Sequence, residues 1–473
     1  MGFDEKKKNI SKDDTIAAII TPPGEGGIGA IRISGPETPK VIRKIFRPAD
    51  PEITPDRFFH LYYGHIINNQ SNIIDEVTMV QMPQGQSYTG QNQAEIFCHG
   101  GQYVLKQILE VIYGNQVRPA EPGEFTRRAF LAGRIDLAKA EAVADLIASK
   151  TEYSYHAAMN NLLGRMTDYI DSIRSGAIAL LAEIEVSVDY PEEGLEAGDK
   201  ARLLESIDTI IFHAKELSES YRAGQIIKEG FKIAIAGRPN AGKSSLFNLM
   251  LNQNRAIVAP TPGTTRDYLT EWIDMEGAAV SITDTAGLRA KGGQIEKAGQ
   301  VSAKGIINDS DLVIWIVDIS RKEWKSETIK DINEISKDKK TLVALNKIDK
   351  IGNFDKSAAG SIDCQNKALK VIPMSCKTDT GFKLLRKELI KRINESMPDL
   401  TDRLVVTSAR HKKKLDDFLA AFGKARKNIV KEESPELIAF ELRSGINQID
   451  EITGRIYNDE ILENIFSRFC IGK

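Results

Sequence analysis

Residues 237–244 (GRPNAGKS) carry the residue types and the spacing of a phosphate-binding loop. They match the pattern GxxxxGK[ST] at every fixed position. Gly237 and Gly242 let the backbone fold around an anion, and the N–H groups at the start of a following helix point at it. In such a loop Lys243 neutralises the β- and γ-phosphates, and the Ser244 hydroxyl holds Mg²⁺. These residues predict a nucleoside triphosphate site.

The sequence on either side of this loop predicts the elements that must position it. Residues 231–236 (FKIAIA) indicate a buried strand, and residues 245–250 (SLFNLM) can begin a helix. The helix start must follow the strand closely, because its N–H groups have to face the phosphates. The residues expected at the phosphates are Asn240, Ala241, Gly242, Lys243, Ser244 and Ser245.

A second motif, residues 346–349 (NKID), predicts which base is bound. Guanine presents two neighbouring N–H donors that the Asp349 carboxylate can accept together, whereas adenine offers no such pair. A site built around such a group rejects the wrong partner by on the order of 10⁴. Residues 375–377 (SCK) follow another predicted strand, where GTPases place a turn that supports guanine. The residues expected at the base are Asn346, Lys347, Asp349, Ser375, Cys376 and Lys377.

A third motif, residues 284–287 (DTAG), concerns hydrolysis. Asp284 is expected to act through the Mg²⁺ shell, and the Gly287 N–H to bond the γ-phosphate. Leu288 stands where Ras-type enzymes use a glutamine to orient the attacking water, and leucine cannot do this. No obvious arginine finger replaces it. Either hydrolysis is slow, or another group supplies the missing charge and holds the water differently.

Length and composition limit the class of protein. The chain has 473 residues and a net charge of −2, which predicts about three domains and argues against nucleic-acid binding over the whole surface. The four cysteines show no zinc-site spacing, so a reducing compartment is expected. No run approaches the ~20 apolar residues of a membrane span. The sequence predicts a soluble, cytoplasmic protein.

The hydrophobic pattern divides the chain into regions of different character. Short predicted strands (16–20, 28–33, 77–82 and 94–98) and a helix over 103–113 precede Gly123, which is typical of an α+β domain. Helical stripes follow to about residue 188, then an acidic loop over 189–200 and a helix over 201–221. An α/β region occupies 229–396, and helix resumes after it, with one apolar face on residues 402–430.

These regions predict a multidomain fold in which a Ras-like α/β P-loop GTPase domain is inserted into an α-helical domain, behind an α+β N-terminal domain. Neither helical block has a complete core alone, so the two are expected to pack together. The predicted boundaries are 1–122 for the N-terminal domain, 123–222 and 397–473 for the helical domain, and 223–396 for the GTPase domain.

One dense basic stretch lies between Lys412 and Lys427. A solvated helix face is the favoured interpretation, and an RNA-contacting patch is the alternative. A ribosome-assembly GTPase that switches RNA binding is therefore the competing hypothesis for the whole chain. Such proteins typically carry an RNA-binding module, and the GXXG loop of a KH domain is not found.

Further motifs resemble those of the MnmE (TrmE) family of tRNA-modification GTPases, over essentially the whole chain. They are TPPG at 21–24, GAIRISG at 29–35, PGEFT at 122–126, DLAKAEA at 136–142, GRPNAGKSSL from 237, GTTRD at 263–267 and FCIGK at 469–473. The resemblance implies a homodimer whose N-terminal domains bind a tetrahydrofolate such as 5-formyl-tetrahydrofolate. It also implies a heterotetramer with the flavoprotein MnmG (GidA), which installs an aminomethyl or carboxymethylaminomethyl group at C5 of the wobble uridine of certain tRNAs.

The same resemblance implies roles for individual residues. The folate residues are Arg32, Glu95, Arg134 and Lys473, with Arg134 standing where the family usually has lysine. Cys470 belongs to the family's terminal motif and is counted as catalytic with Lys243 and Glu296, although its chemical role is open. Glu296 is the family's water-orienting glutamate; without the resemblance an exposed glutamate at a helix start is an equal interpretation.

The resemblance also implies that K⁺ takes the place of the arginine finger. A desolvated K⁺ needs oxygens that replace its hydration shell. Asn240 offers an amide oxygen, Ala259 and Thr261 offer backbone carbonyls, and Thr264 offers its side chain. Thr265 is then left to bind Mg²⁺ together with Ser244.

Overall fold

The computed structural model describes residues 14–189, 197–256, 269–285, 304–335, 340–351, 361–364, 367–397 and 404–473. The chain divides into two compact units, one formed by Met1–Ala144 with Ile449–Lys473 and the other by Asp145–Gln448.

The first unit is built on a sheet with the described strand order β3-β4-β5-β6-β2-β1-β7. Neighbouring strands are antiparallel, except that β1 and β7 are parallel. The strands are β1 (Ile16–Ile19), β2 (Gly26–Ser34), β3 (Phe46–Pro48), β4 (Tyr62–Ile67), β5 (Ile73–Met82), β6 (Gln93–Gly100) and β7 (Arg118–Pro119).

The two faces of this sheet carry different side chains, because successive residues of a strand point to opposite sides. On one face Ile31, Ile33 and Ile96 form a buried core with helices α1 (Thr38–Ile45) and α2 (Gln102–Tyr113). The residues between them, Arg32 and Glu95, lie on the other face and are register partners.

The first unit also contains α3 (Glu124–Leu131), most of α4 (Leu137–Ala148) and α14 (Asp459–Phe466). Phe130 and Leu137 form one apolar cluster with Leu462, Phe466 and Phe469. Residues distant in sequence therefore share a core within this unit.

The second unit contains a sheet with the described strand order β14-β15-β13-β12-β8-β11-β10-β9. The pairings from β15 to β11 are parallel and the outer ones are antiparallel. The strands are β8 (Phe231–Ala236), β9 (Arg255–Ala256), β10 (Leu269–Met275), β11 (Ala278–Asp284), β12 (Leu312–Asp318), β13 (Thr341–Asn346), β14 (Ser361–Cys364) and β15 (Lys367–Pro373). Strands such as β13 are buried along their whole length, as expected when helices cover both faces.

The helices of the second unit flank this sheet or form a bundle. They are α5 (Glu152–Leu162), α6 (Arg165–Asp189), α7 (Ala197–Glu219), α8 (Tyr221–Glu229), α9 (Lys243–Asn252), α10 (Trp324–Ile335), α11 (Phe382–Ser396), α12 (Ala409–Lys431) and α13 (Pro435–Thr453). Helix α12 packs against α7 and buries Leu415, Phe418 and Phe422, the apolar face predicted from the sequence. The predicted fold class, α+β, helical and Ras-like α/β parts in one chain, is confirmed.

Two predicted element boundaries are wrong. The acidic loop over 189–200 is shorter than predicted, because α7 already begins at Ala197, nearly two turns before its buried Leu203. Residues 190–196 lie outside the described residues. The later helix begins at Ala409 and not near residue 402. Residues 404–407 hold two valines and a threonine in sequence, and such β-branched side chains disfavour a helix start.

Candidate functional site

The phosphate loop joins the end of β8 to the start of α9 through backbone conformations that its residue types permit. Gly237, Asn240 and Gly242 have φ of 144°, 63° and 111°. A Cβ on Gly237 would lie 2.3 Å from the Ile316 carbonyl oxygen, and one on Gly242 2.2 Å from Asn346 Nδ2. Glycine is therefore required at both positions for conformation and for space.

The side chains of Lys243 and Ser244 make contacts within the phosphate loop and with the end of β11. Lys243 is buried, and its Nζ donates to the carbonyl oxygens of Gly237 and Arg238 at 2.8 and 3.0 Å. Ser244 Oγ donates to Asp284 Oδ2 at 2.8 Å, at the end of β11. Ser244, expected to bind Mg²⁺, thus contacts Asp284, expected to act through the Mg²⁺ shell, and oxygen atoms are the donors that Mg²⁺ prefers.

The NKID segment is bonded directly to the phosphate loop. Asn346 Nδ2 donates to the Ala241 carbonyl oxygen at 2.8 Å, and Asn346 Oδ1 accepts from the Cys376 N–H at 3.0 Å. Lys347 Nζ donates to the Asn240 carbonyl oxygen at 2.8 Å. Asn346 therefore connects the phosphate loop to the turn at 375–377. Lys347 adds a second hydrogen bond between the NKID segment and the phosphate loop.

Asp349 is held ready to accept hydrogen bonds. Its Oδ1 accepts from Ser375 Oγ at 2.6 Å, which lowers the pKa of this exposed carboxyl group. The Ser375 hydroxyl also accepts from the Lys377 N–H at 3.3 Å. Burial raises the pKa of the Cys376 thiol to about 11. The carboxylate is therefore ionised at pH 7 and can accept hydrogen bonds, whereas the neighbouring thiol is neutral.

In the first unit Arg32 and Glu95 form an ion pair on the sheet face opposite the α1–α2 core. Arg32 Nε and Nη2 each lie 2.9 Å from Glu95 Oε1, and the two side chains are 14% and 15% exposed. The Arg32 guanidinium also lies 5.2 Å from the ring centre of Tyr88 and 5.5 Å from that of Phe125. Charged groups and aromatic surface therefore meet at this face.

The segment 469–473 packs against the same unit. The Phe125 N–H donates to the Lys473 carbonyl oxygen at 3.1 Å, and a Cβ on Gly472 would lie 2.3 Å from the Ile19 carbonyl oxygen. Cys470 is exposed. The C-terminal segment therefore folds back onto this unit and places Lys473 next to Phe125. A role for Lys473 beside Arg32 requires such an arrangement.

Two family models match the chain. The one described as "GTP-binding protein TrmE N-terminus" matches residues 15–134, and the one described as "MnmE helical domain" matches residues 137–470. A protein of Natranaerobius thermophilus named tRNA modification GTPase MnmE is 39% identical over 98% of this chain and 100% of its own length. Proteins of the same name from Carboxydothermus hydrogenoformans and Clostridioides difficile are 38% and 39% identical over 98% of this chain, and over 100% and 99% of their own lengths. The chain belongs to the MnmE family.

Membership of the MnmE family gives the activity in outline. The chain is a GTP hydrolase that acts in tRNA modification. This confirms the resemblance and the prediction of GTP over ATP, and it favours tRNA modification over the ribosome-assembly hypothesis.

Some residues that the motifs or the MnmE resemblance assign to the nucleotide site are not among the described residues. The residues that lie outside the described ranges are Ala259, Thr261, Thr264, Thr265, Gly287 and Glu296. Arg134, assigned to folate, is described, and its Nη1 donates to the Gly85 carbonyl oxygen at 2.9 Å. Among the described residues no hydrogen bond or ion pair joins Arg134 to Arg32 or Glu95.

The structure adds residues that the sequence analysis missed. Asp318 ends β12 and pairs with Lys347 at 2.5 Å; burial opposes its ionisation, but hydrogen bonds from Lys347 and Ser320 lower its pKa. Arg238 of the phosphate loop forms ion pairs of 2.6 Å with Glu327 and with Asp331 on α10. An aspartate at the end of a buried strand was a usable signal for Asp318, whereas nothing in the motif predicts the partners of Arg238.

An ion cluster built around the buried Glu124 and Arg128 lies at the start of α3. Glu124 Oε1 contacts Arg118 Nη2 at 2.5 Å and Arg128 Nη2 at 2.8 Å, and both arginines also contact Asp14. Burial alone would raise the pKa of Glu124, but the hydrogen bonds from Arg118 and Arg128 lower it. This cluster connects α3 to the residues preceding β1 and to β7.

Three of the basic side chains in the 412–427 stretch of α12 form ion pairs within the second unit. Lys412 pairs with Asp416 at 2.5 Å, Arg426 with Asp208 at 2.5 Å, and Lys424 with Glu441 at 3.8 Å. These contacts support the solvated-face interpretation over an RNA-contacting patch. None of the described helices is long and apolar enough to cross a membrane.

Proposed function

We propose that this chain is a K⁺-dependent GTPase that forms a homodimer and, with the flavoprotein MnmG, a heterotetramer. The complex installs an aminomethyl or carboxymethylaminomethyl group at C5 of the wobble uridine of certain tRNAs, with a tetrahydrofolate as the one-carbon donor. The observation that carries the K⁺ part of the proposal is the exposed side chain of Asn240, which lies within the phosphate loop.

Asn240 has the placement that a cation ligand needs. Its backbone is held by the hydrogen bond from Lys347, whereas its side-chain amide is exposed and makes no hydrogen bond with the described residues. The amide oxygen can therefore contribute to a K⁺ shell, with Ala259, Thr261 and Thr264 as the further proposed ligands. Bound there, K⁺ supplies the positive charge that an arginine finger provides in other GTPases, an effect of about 10³–10⁵ in rate.

Two further contacts support the remaining parts. Ser244 and Asp284 meet at 2.8 Å, which fits a Mg²⁺ site completed by Thr265; the ion neutralises charge on the phosphates. The Arg32–Glu95 pair beside Tyr88 and Phe125 fits a planar, partly charged ligand such as a tetrahydrofolate. Arg134, Lys473 and Cys470 remain proposed folate and catalytic residues.

The K⁺ requirement is tested by steady-state GTP hydrolysis in KCl and in NaCl at matched ionic strength. Na⁺ is smaller and underfills a ring of oxygens sized for K⁺, so we expect fast hydrolysis in K⁺ and slow hydrolysis in Na⁺. Asn240→Ala should reduce the rate in K⁺ to the Na⁺ level while nucleotide affinity is retained through Lys243 and the backbone.

Glu296→Ala is the matched comparison, since this residue is proposed to act on the water. It should slow hydrolysis while K⁺-dependent dimerisation in a GTP transition-state mimic persists. Equal wild-type rates in both salts would show that this loop does not use K⁺. The tRNA reaction is measured separately, by mass spectrometry of wobble uridines in a strain lacking its own MnmE; no restored modification by this chain together with MnmG would contradict that part of the proposal.

A further inference from the structure

Glu95 is contacted from two sides, and both contacts reach the same oxygen atom. Its Oε1 accepts from Arg32 Nε at 2.9 Å and from Gln93 Nε2 at 3.1 Å. Glu95 Oε2 accepts no hydrogen bond from any residue in the described parts of the chain. The two contacts therefore fix the rotation of the carboxylate and direct one oxygen away from the protein donors.

Gln93 holds this carboxylate in place although one of its own polar atoms is left without a hydrogen bond. It lies two residues before Glu95 on β6, on the same face of the sheet, and it is 1% exposed. Its Oε1 is buried without any hydrogen-bond partner, while Nε2 bonds Glu95. Turning the amide over would place Oε1 against the carboxylate, which repels it. An unpaired buried oxygen is unfavourable, and such exceptions to local stability are expected at functional sites.

We infer that Gln93 is a positioning residue that, with Arg32, orients the Glu95 carboxylate so that Oε2 faces a bound ligand with N–H donors. The inference rests on the proposed folate function of this face and deepens it. The ligand class is a planar heterocycle with an amino-pyrimidine edge, which a reduced pterin provides, because Oε2 is left as an acceptor. Gln93 acts through Glu95 and does not itself need to touch the ligand.

The contribution of Gln93 is measured through the dissociation constant for 5-formyl-tetrahydrofolate and the melting temperature of the full chain. Gln93→Met keeps the side-chain length and removes both the donor and the unpaired oxygen. We expect the dissociation constant to rise about tenfold, the effect of losing one hydrogen bond to a charged group. The melting temperature should stay the same or rise, because a buried unsatisfied atom has been removed.

Gln81→Met is the matched control. Gln81 is also a buried glutamine of this sheet, but it shares the α1–α2 core face with Val77 and Met79, opposite the face that carries Gln93 and Glu95. Its Nε2 donates to the Pro55 carbonyl oxygen at 2.7 Å. This variant should lower the melting temperature and leave the dissociation constant unchanged. The two variants thus separate ligand positioning from the stability of the sheet.

Gln93→Glu tests the donor itself. Two carboxyl groups in contact share a proton, and the pKa of one is raised. As the pH falls through that raised pKa, the introduced carboxyl group gains a proton and donates to Glu95 as the amide did. Affinity relative to wild type should therefore recover between pH 8.5 and pH 6, a change that a purely structural role would not produce.

The outcomes are distinguishable. A dissociation constant for Gln93→Met within twofold of wild type would overturn the positioning role, as would Gln93→Glu staying as weak as Gln93→Met at both pH values. Loss of binding in Glu95→Gln with normal binding in Gln93→Met would overturn the inference and leave the folate site standing. No binding of 5-formyl-tetrahydrofolate by the wild-type chain would overturn both.

Discussion

Single residues connect the motifs of the nucleotide site. Lys347 bonds the Asn240 carbonyl oxygen and Asp318, so one ammonium group links the base motif, the phosphate loop and the end of β12. The spacing of the NKID segment predicts Lys347, because the chemistry of guanine fixes that pattern. It does not predict Asp318, since a lone aspartate upstream has no pattern of its own. For the same reason the partners of Gln93 could not be predicted from the sequence.

A change at Asp349 tests the base site at this scale. Asp349→Asn should weaken GTP binding by ~10²-fold or more, because two hydrogen bonds from guanine to a charged acceptor are lost. The same variant should bind xanthosine triphosphate better than wild type does, since the C2 oxygen of xanthine needs a donor. Competition binding with both nucleotides measures the change in preference.

Ser375→Ala is the control for this change. It removes the 2.6 Å hydrogen bond to Asp349 and leaves the carboxylate in place. It should weaken GTP binding to a lesser extent and leave the preference for guanine unchanged. Unaltered GTP affinity in Asp349→Asn would remove Asp349 from the base site.

Whole elements show where sequence patterns succeed and where they end. The strands β2, β6 and β8 lie where apolar alternation or apolar runs predict them. The strand β7 was missed because it has only two residues, Arg118 and Pro119, and pairs with β1 from far along the chain. Helix α3 was expected after Gly123, but its attachment to β7 and to Asp14 through the Glu124 cluster depends on long-range contacts that periodicity does not encode.

Glu124 makes the stability of the first unit depend on pH, because its carboxylate holds the ion cluster at the start of α3 together. Its pKa is lowered from the ordinary 4.5 in the folded chain, so its contribution is present above 4.5 and is lost as the pH falls through the folded-state value. Glu124→Gln should destabilise the first unit at pH 7 by about 3 kcal/mol, because the buried Arg128 loses a charged partner. The difference in melting temperature between wild type and variant should shrink as the pH falls below 4.5.

Glu110→Gln provides the comparison on α2. Glu110 is 55% exposed and pairs with Lys106 at 3.8 Å. It should change the melting temperature little at any pH, as is typical of surface ion pairs. If the difference in melting temperature between wild type and Glu124→Gln did not depend on pH, the assigned role of this carboxylate would be contradicted.

At the scale of the whole molecule, the core around the GTPase sheet extends past residue 396, the predicted end of the GTPase domain. Ile226 and Ile227 of α8, together with Met397 and Val405, belong to this one buried cluster. The ends of an inserted domain cannot be predicted from hydrophobic patterns alone. A linker that packs on the domain has the same sequence pattern as a helix end or a loop that does not. The boundaries therefore remain predictions that fragments can test.

A segment over 221–407 should fold and bind GTP, and it should be more stable than a segment over 224–396. The shorter segment lacks the first turn of α8, Met397 and Val405. Two buried apolar side chains contribute about 3 kcal/mol or more together, which urea unfolding of both segments measures. Met397→Ala with Val405→Ala in the longer segment should reproduce most of the difference, and equal stability of the two segments would contradict this assignment.

The cluster that joins Phe130 and Leu137 to Leu462, Phe466 and Phe469 has a consequence for protein synthesis. The first unit leaves the ribosome early but lacks part of its core until residues 449–473 follow. At ~5–20 residues per second the second unit is translated over tens of seconds in between. During that interval the apolar sides of α3 and α4 lack their native cover, so the nascent chain exposes apolar surface that the folded protein buries.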